Sequence, residues 1–157
     1  MARRKKNYNR PETRDPRYDS PVVGKLISKV MRDGKRSLSE RIVYAAIDKA
    51  NDGTDTVDPL EVVTRALENA KPRVEVKSRR VGGATFQIPT PVREERKSSL
   101  AMKWLIGYAR KRNEKTMSQK LAAEIIAASK EEGAAFKKKE DTIRMAEANK
   151  AFSHFRF

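Results

Sequence analysis

Residues 74–91 read VEVKSRRVGGATFQIPTP. Side chains alternate up to Val81, a Gly-Gly pair breaks the run, and alternation resumes from Ala84. Period-two alternation on both sides of a turn signal predicts a β-hairpin. Placing Val74, Val76, Phe86 and Ile88 on one face selects a three-residue loop, Val81-Gly82-Gly83. That loop pairs Arg80 with Ala84, Ser78 with Phe86 and Val76 with Ile88, with Gly83 in the left-handed position. The opposite face then shows Glu75, Lys77 and Arg79 against Thr85 and Gln87. Strands of some six residues carry the tip out by roughly 20 Å. A two-stranded hairpin alone is marginal in water, so one with Lys77, Arg79 and Arg80 near its tip is expected to lie against a polyanion. The plainer alternative is a solvated hairpin whose charges only prevent edge pairing.

The flanks read as helices. Ser20-Pro21 supplies a cap and a first-turn proline. Val22, Val23, Leu26, Ile27, Val30 and Met31 follow as one stripe, ended by Gly34. Ser37-x-x-Glu40 has the form of a capping box before Ile42, Val43, Ala46 and Ile47. Asp58-Pro59-x-Glu61 opens a third helix, with Val62, Val63, Ala66 and Leu67 inward and Pro72 as its stop. Thr90-Pro91 is expected to open a fourth, with Leu100, Trp104, Leu105 and Tyr108 in its core stripe. Thr116-x-x-Gln119 caps a fifth, which ends at Gly133, and a last helix spans about Lys137 to Phe152. The expected fold is all-α: a bundle of about six helices with one protruding β-hairpin arm at residues 73–90 and a disordered basic N-terminal tail. Residues 1–18 form that extension. Residues 19–157 form a single domain with a C-terminal tail at 153–157.

The 157 residues carry 36 Lys and Arg against 21 Asp and Glu, a net charge of +15. Such an imbalance costs self-repulsion and favours a polyanionic partner. It is also uneven. Residues 1–17 hold seven basic and two acidic side chains, residues 37–70 three and seven, and residues 103–120 six and one. There is no cysteine and a single histidine, His154, so thiolate chemistry, Cys-zinc sites and histidine-based triads lack their residues. No cofactor, metal site or enzymatic activity is expected. No window reaches the roughly 18 apolar residues of a membrane span, and the basic N-terminus lacks the apolar core of a secretory signal. The chain reads as cytoplasmic, with no membrane partner.

The candidate RNA-binding residues are the clustered cations. Arg3, Arg4, Lys5, Lys6 and Arg10 form an N-terminal arm, with Tyr8 available to stack. Lys35 and Arg36 follow a helix-end turn; the surrounding Asp33-Gly34-Lys35-Arg36-Ser37 is not a phosphate loop, because Lys29 stands where the first glycine belongs. Lys77, Arg79 and Arg80 lie on the hairpin, with Arg93 and Arg96 just after it. Arg110, Lys111, Arg112 and Lys115 sit at a helix end, where cations also suit the dipole. Lys137, Lys138 and Lys139 are placed at a helix start, where they oppose the dipole and hint at an external anion. Trp104 and Tyr108 are read as core.

Three stretches, EVKSRRVGGATFQIP, MRDGKRSLSERIVYAA at 31–46 and KKKEDTIRMAEANKAFSHFRF at 137–157, closely resemble the small-subunit ribosomal protein seven family of bacterial type. The resemblance runs from about residue 15 to the end in the same element order. It implies a helical protein with a β-arm that binds the 3′ major domain of small-subunit ribosomal RNA and starts assembly of the subunit head. It also implies exposure to exit-site tRNA and messenger RNA through Arg79, Arg80, Val81, Gly82, Gly83, Arg144, Phe155 and Arg156, with small-subunit ribosomal protein eleven as neighbour. This chain has Ile143 where the family usually has His, and ends Phe155-Arg156-Phe157 where it often ends Tyr-Arg-Trp. Two other classes compete. A DNA-bending architectural protein could use a basic β-arm, although its wedge would have to be Val81. An RNA-modifying enzyme would need a nucleophile or cofactor loop that the sequence does not supply.

Overall fold

The computed structural model describes residues 14–54 and 58–155. Six α-helices, one hairpin and a closing 3-10 turn follow in order: α1 (Pro21–Val30), α2 (Arg36–Asp52), α3 (Pro59–Ala70), β1 (Val74–Val81), β2 (Ala84–Pro91), α4 (Glu94–Ala109), α5 (Met117–Ser129), α6 (Gly133–Ala148) and the turn Lys150–Phe155. α5 is the central rod, packed against α2, α3, α4 and α6. Its Leu121, Ile125 and Ala128 are fully buried. Alanines at 46, 50, 66, 70, 101 and 109 line the facing helices, and their small side chains let the rods approach closely. Leu26, Ile27, Ile47, Val62 and Leu105 fill the remaining volume.

Two helix starts follow local chemistry. The Asp58 side chain accepts from the Leu60 N–H at α3, and at α5 Thr116 and Gln119 form the reciprocal capping box. Others depart from the reading above. α1 stops at Val30, and Gly34, at φ +71, makes the turn into α2 rather than ending a helix. α2 starts at Arg36 with no side-chain cap. Ser39, in the first turn of α2, instead donates to the Ile27 carbonyl at 2.7 Å, tying α2 to the end of α1. Thr90-Pro91 belongs to β2, and α4 starts at Glu94. Gly133 begins α6 and does not end α5; a Cβ there would lie 3.0 Å from the Ala127 Cβ and 3.3 Å from the Glu124 carboxylate. The start of α6 four residues earlier than expected puts Lys137, Lys138 and Lys139 inside the helix, so the opposing-dipole argument does not apply to them.

The hairpin register is also different. Val81 pairs with Ala84, Arg79 with Phe86, Lys77 with Ile88 and Val76 with Pro89. The loop is therefore Gly82-Gly83 alone, both at positive φ (57 and 88), as a two-residue primed turn requires. This register splits the apolar set between the faces, and the split is stable because both faces are covered at the base. Ile88 and Pro89, adjacent and on opposite faces, are both buried. α6 and the 3-10 turn pack against the strands, with the Phe86 and Phe152 ring centroids 5.1 Å apart. Beyond that base, Lys77 to Arg80 and Gly82 to Thr85 are exposed.

Within residues 14–18, assigned by composition to the extension, Asp15 is buried and Tyr18 packs half-buried against the core. Asp15 is 1% exposed. It accepts hydrogen bonds from the Tyr44 hydroxyl and from the N–H groups of Arg17 and Tyr18, while Arg17 grips Asp48 with both terminal nitrogens at 3.0–3.1 Å. Burial, and then the Asp15 hydrogen bond, push the Tyr44 phenol up to about 12.

Candidate nucleic-acid interface

The ends of α1 and α4 and the starts of α2 and α5 meet around a groove of about 550 Å³. Its rim carries Arg32, Lys35, Arg110, Lys115 and Lys120, with Asp33 as the one acid. Among the described residues Arg32, Lys35, Lys115 and Lys120 form no salt bridge. Arg110 donates to the Val30 carbonyl at 3.2 Å, capping α1. Burial first, then the neighbouring Arg32, pull its guanidinium below the ordinary value. Lys35 and Arg36 also stand at the uncapped start of α2, where cations oppose the helix dipole. The hint of an external anion that the sequence placed at residues 137–139 is thus found here, at α2. The groove's floor includes Leu38, which is 45% exposed.

The arm contributes the second cationic element. Arg80 is exposed with no salt bridge among the described residues, Arg79 is exposed beside it, and Lys77 pairs with Glu75 at 3.2 Å. Glu75 also takes Arg96, at 2.9 Å, and these partners hold its carboxyl below the usual range. The positive tip therefore stands on a base whose charges are matched.

Several sequence candidates turn out to have internal work. Arg112 donates to Glu124, which is 0% exposed, at 2.8 Å and to Glu114 at 2.9 Å. The same Glu124 accepts from the Ala135 N–H at 2.8 Å, so one buried carboxylate and one guanidinium join the α4–α5 connection, α5 and the start of α6. Sequence reasoning missed Glu124; an isolated acid inside the apolar run LAAEIIAAS was its only signal. Lys139 donates to the Asn69 carbonyl at 2.7 Å and lies 4.6 Å from the Phe136 ring. Lys111 lies over the Tyr108 ring. Arg93, Lys137 and Arg144 are exposed, and Lys138 is half-buried. Trp104 and Tyr108 are half-buried and pack against the hydrophobic core beside the fully buried Ala101, Met102, Leu105, Ile106 and Ala109 of α4. Arg3, Arg4, Lys5, Lys6, Arg10 and Arg156 lie outside the described residues.

A second recess, of about 900 Å³, runs between the hairpin base and α6. Three of its five cations are matched, Lys71 by Glu68, Lys97 by Glu94 and Lys139 by the Asn69 carbonyl, while Arg73 and Lys150 form no salt bridge among the described residues. Among the described residues no cluster of three or more His, Asp or Glu side chains could hold a metal ion, and no helix is long and apolar enough to cross a membrane.

An all-helical body carrying a basic β-arm and an uncompensated cationic groove defines a polyanion-binding protein. The comparisons are more specific. Residues 2–150 match the family described as ribosomal protein S7p/S5e. Across the full length of both chains, the sequence is 64% identical to the small ribosomal subunit protein uS7 of Akkermansia muciniphila. It is 55% identical to that of Halorhodospira halophila and 53% to that of Mycobacterium tuberculosis, again over both full lengths. The chain belongs to the S7p/S5e family of ribosomal proteins.

Proposed function

We propose that this chain is a structural, non-enzymatic component of the bacterial small ribosomal subunit that works in the cytoplasm by binding ribosomal RNA. Within that role it binds the 3′ major domain, starts the folding of the subunit head, and holds its arm toward exit-site tRNA and the messenger path. Small-subunit ribosomal protein eleven is its proposed protein neighbour. The observation that carries the reading is the cationic rim of Arg32, Lys35, Arg110, Lys115 and Lys120 around one groove, with Asp33 its one acid and none of the five cations in a salt bridge among the described residues. Arg79 and Arg80 supply the second contact, and the N-terminal Arg3, Arg4, Lys5, Lys6 and Arg10 a third. Arg112 and Arg96, tied to Glu124 and Glu75, serve the fold and the arm's base.

Phosphate neutralisation by such a surface releases counterions, so log affinity falls linearly with log salt, by about 0.7–0.9 unit of slope per contact. The test is binding of a 3′ major domain fragment, compared with duplex DNA, across a salt series. A slope of several units with preference for the ribosomal fragment supports the reading. A flat salt dependence, or equal affinity for duplex DNA, contradicts it.

A further inference from the structure

Helix α4 carries an interior glycine that the fold does not explain. Leu100, Lys103, Trp104, Gly107, Tyr108 and Lys111 recur at helical spacing and form one face away from its fully buried residues, although Trp104 and Tyr108 also pack against the core. The apolar and aromatic members are half-buried, and Lys103 and Lys111 are exposed. From residue 96 to 111 the sequence contains no acid.

Gly107 stands in the middle of this face. Glycine is the poorest helix former after proline, so a helix-interior glycine calls for a reason. A positive φ is not the reason, since Gly107 is not among the glycines that have one. Crowding is not the reason either: a Cβ there would meet no neighbouring atom within 4 Å. No internal contact forbids a side chain, yet the helix carries a bare backbone between two aromatic residues and two lysines.

We propose that the outer face of α4 is a contact for an unpaired nucleotide, whose base lies against Trp104 over the bare backbone of Gly107 while Lys103 and Lys111 hold the flanking phosphates. Single-stranded nucleic acid is bound by this combination of aromatic faces and backbone-tracking cations, because every base has a face to stack. The absence of acids from residue 96 to 111, beyond the first turn of α4, suits a polyanion rather than a mixed-charge protein surface. The inference rests on the RNA-binding reading above and adds to it a site outside the groove and the arm.

Trp104 is the only tryptophan, which makes it a built-in reporter. Wild-type protein is titrated with the 3′ major domain RNA fragment while tryptophan emission and affinity are read separately, alongside Gly107→Ala, Gly107→Gln and a Lys35→Ala control. Emission should be quenched on saturation by wild type and by the control. Gly107→Ala should raise the Tm by roughly 2–4 °C, the gain expected from a better helix former in a chain of this size. Both Gly107 variants should lose the quenching and bind about 5- to 100-fold more weakly, the range found when a base loses its aromatic platform. RNA binding that leaves Trp104 emission unchanged, with wild-type affinity in both Gly107 variants, would overturn the proposal and leave this face to a protein neighbour. Failure of the wild type to bind RNA at all would overturn the parent reading, and this one with it.

Discussion

Two recesses flank the bundle, and both are rich in lysine and arginine. In the groove at the starts of α2 and α5, Arg32, Lys35, Lys115 and Lys120 form no salt bridge among the described residues, and only Lys120 lies near enough to an acid, Glu114, to help lower its carboxyl. In the recess beside the hairpin base, Lys71 is held by Glu68, Lys97 by Glu94 and Lys139 by the Asn69 carbonyl. The number of cations is therefore a poor guide to where RNA binds. The useful quantity is the charge left over after the protein's own acids and carbonyls have been served. In this groove Arg32 adds to the burial that lowers the Arg110 guanidinium, and clustered like charges favour a bound anion.

The sharpest way to break this comparison is to reverse the groove's sign. Lys35→Glu with Lys115→Glu should reduce affinity for the 3′ major domain fragment by about 100-fold or more at moderate salt, because two favourable phosphate contacts become repulsive. The fold should survive, since both side chains are exposed, and circular dichroism checks that. Arg112→Met comes next, and its effect is on stability. It leaves Glu124 buried without its counter-ion, at a cost of about 3 kcal/mol, or roughly 10 °C in Tm for a chain of this size. RNA affinity per folded molecule should barely move. A large affinity loss without a stability loss would return Arg112 to the interface.

Smaller effects separate the N-terminal segment from the body. Deleting residues 1–13 should leave the thermal transition in place, whereas deleting 1–17 also removes Asp15 and strands the Tyr44 hydroxyl, at about 1–3 kcal/mol. The same cluster has a pH signature. Tyr44 is held near 12 in the folded state against about 10 unfolded, so the folded protein keeps its proton longer. That contribution is fully present below pH 10 and is lost as pH rises from 10 through 12. Ultraviolet titration of the tyrosines should show Tyr44 ionising late, with Tyr18, raised by burial and then by Asp48, also delayed. The return of Tyr44 toward 10 in the 1–17 deletion would sharpen the assignment. The smallest expected effect is at the matched recess: Lys71→Ala with Lys97→Ala breaks two exposed pairs and should stay within about 1 kcal/mol.

What was legible in the sequence was local. The Asp58 and Thr116 caps depend on residues two or three positions away, so spacing alone revealed them. The existence of the hairpin was legible for the same reason, and so was the tip's exposure. Its register was not, because the choice of loop assumed a single covered face, and only the packing of α6 and the 3-10 turn shows that Ile88 and Pro89 are buried on opposite faces. Ser37 looked like a cap, but Ser39 bonding to Ile27 across the α1–α2 junction set the helix start. Trp104 and Tyr108 were legible as members of the apolar stripe of α4, and both pack against the core. The split between free and committed cations was illegible altogether, since Arg112 meets Glu124 across a loop and Lys139 meets Asn69 from 70 positions away.

Removing equal charge from both recesses tests that split most directly. One variant replaces Lys35, Lys115 and Lys120 with Ala, the other Lys71, Lys97 and Lys139, so net charge falls by the same amount in each. Salt-series binding of the 3′ major domain fragment is then compared with wild type. The groove variant should lose about 2 units of slope, at 0.7–0.9 per phosphate contact, while the recess variant keeps the wild-type slope. Equal losses in the two variants would show that RNA responds to net charge alone, and the distinction between free and committed cations would fail.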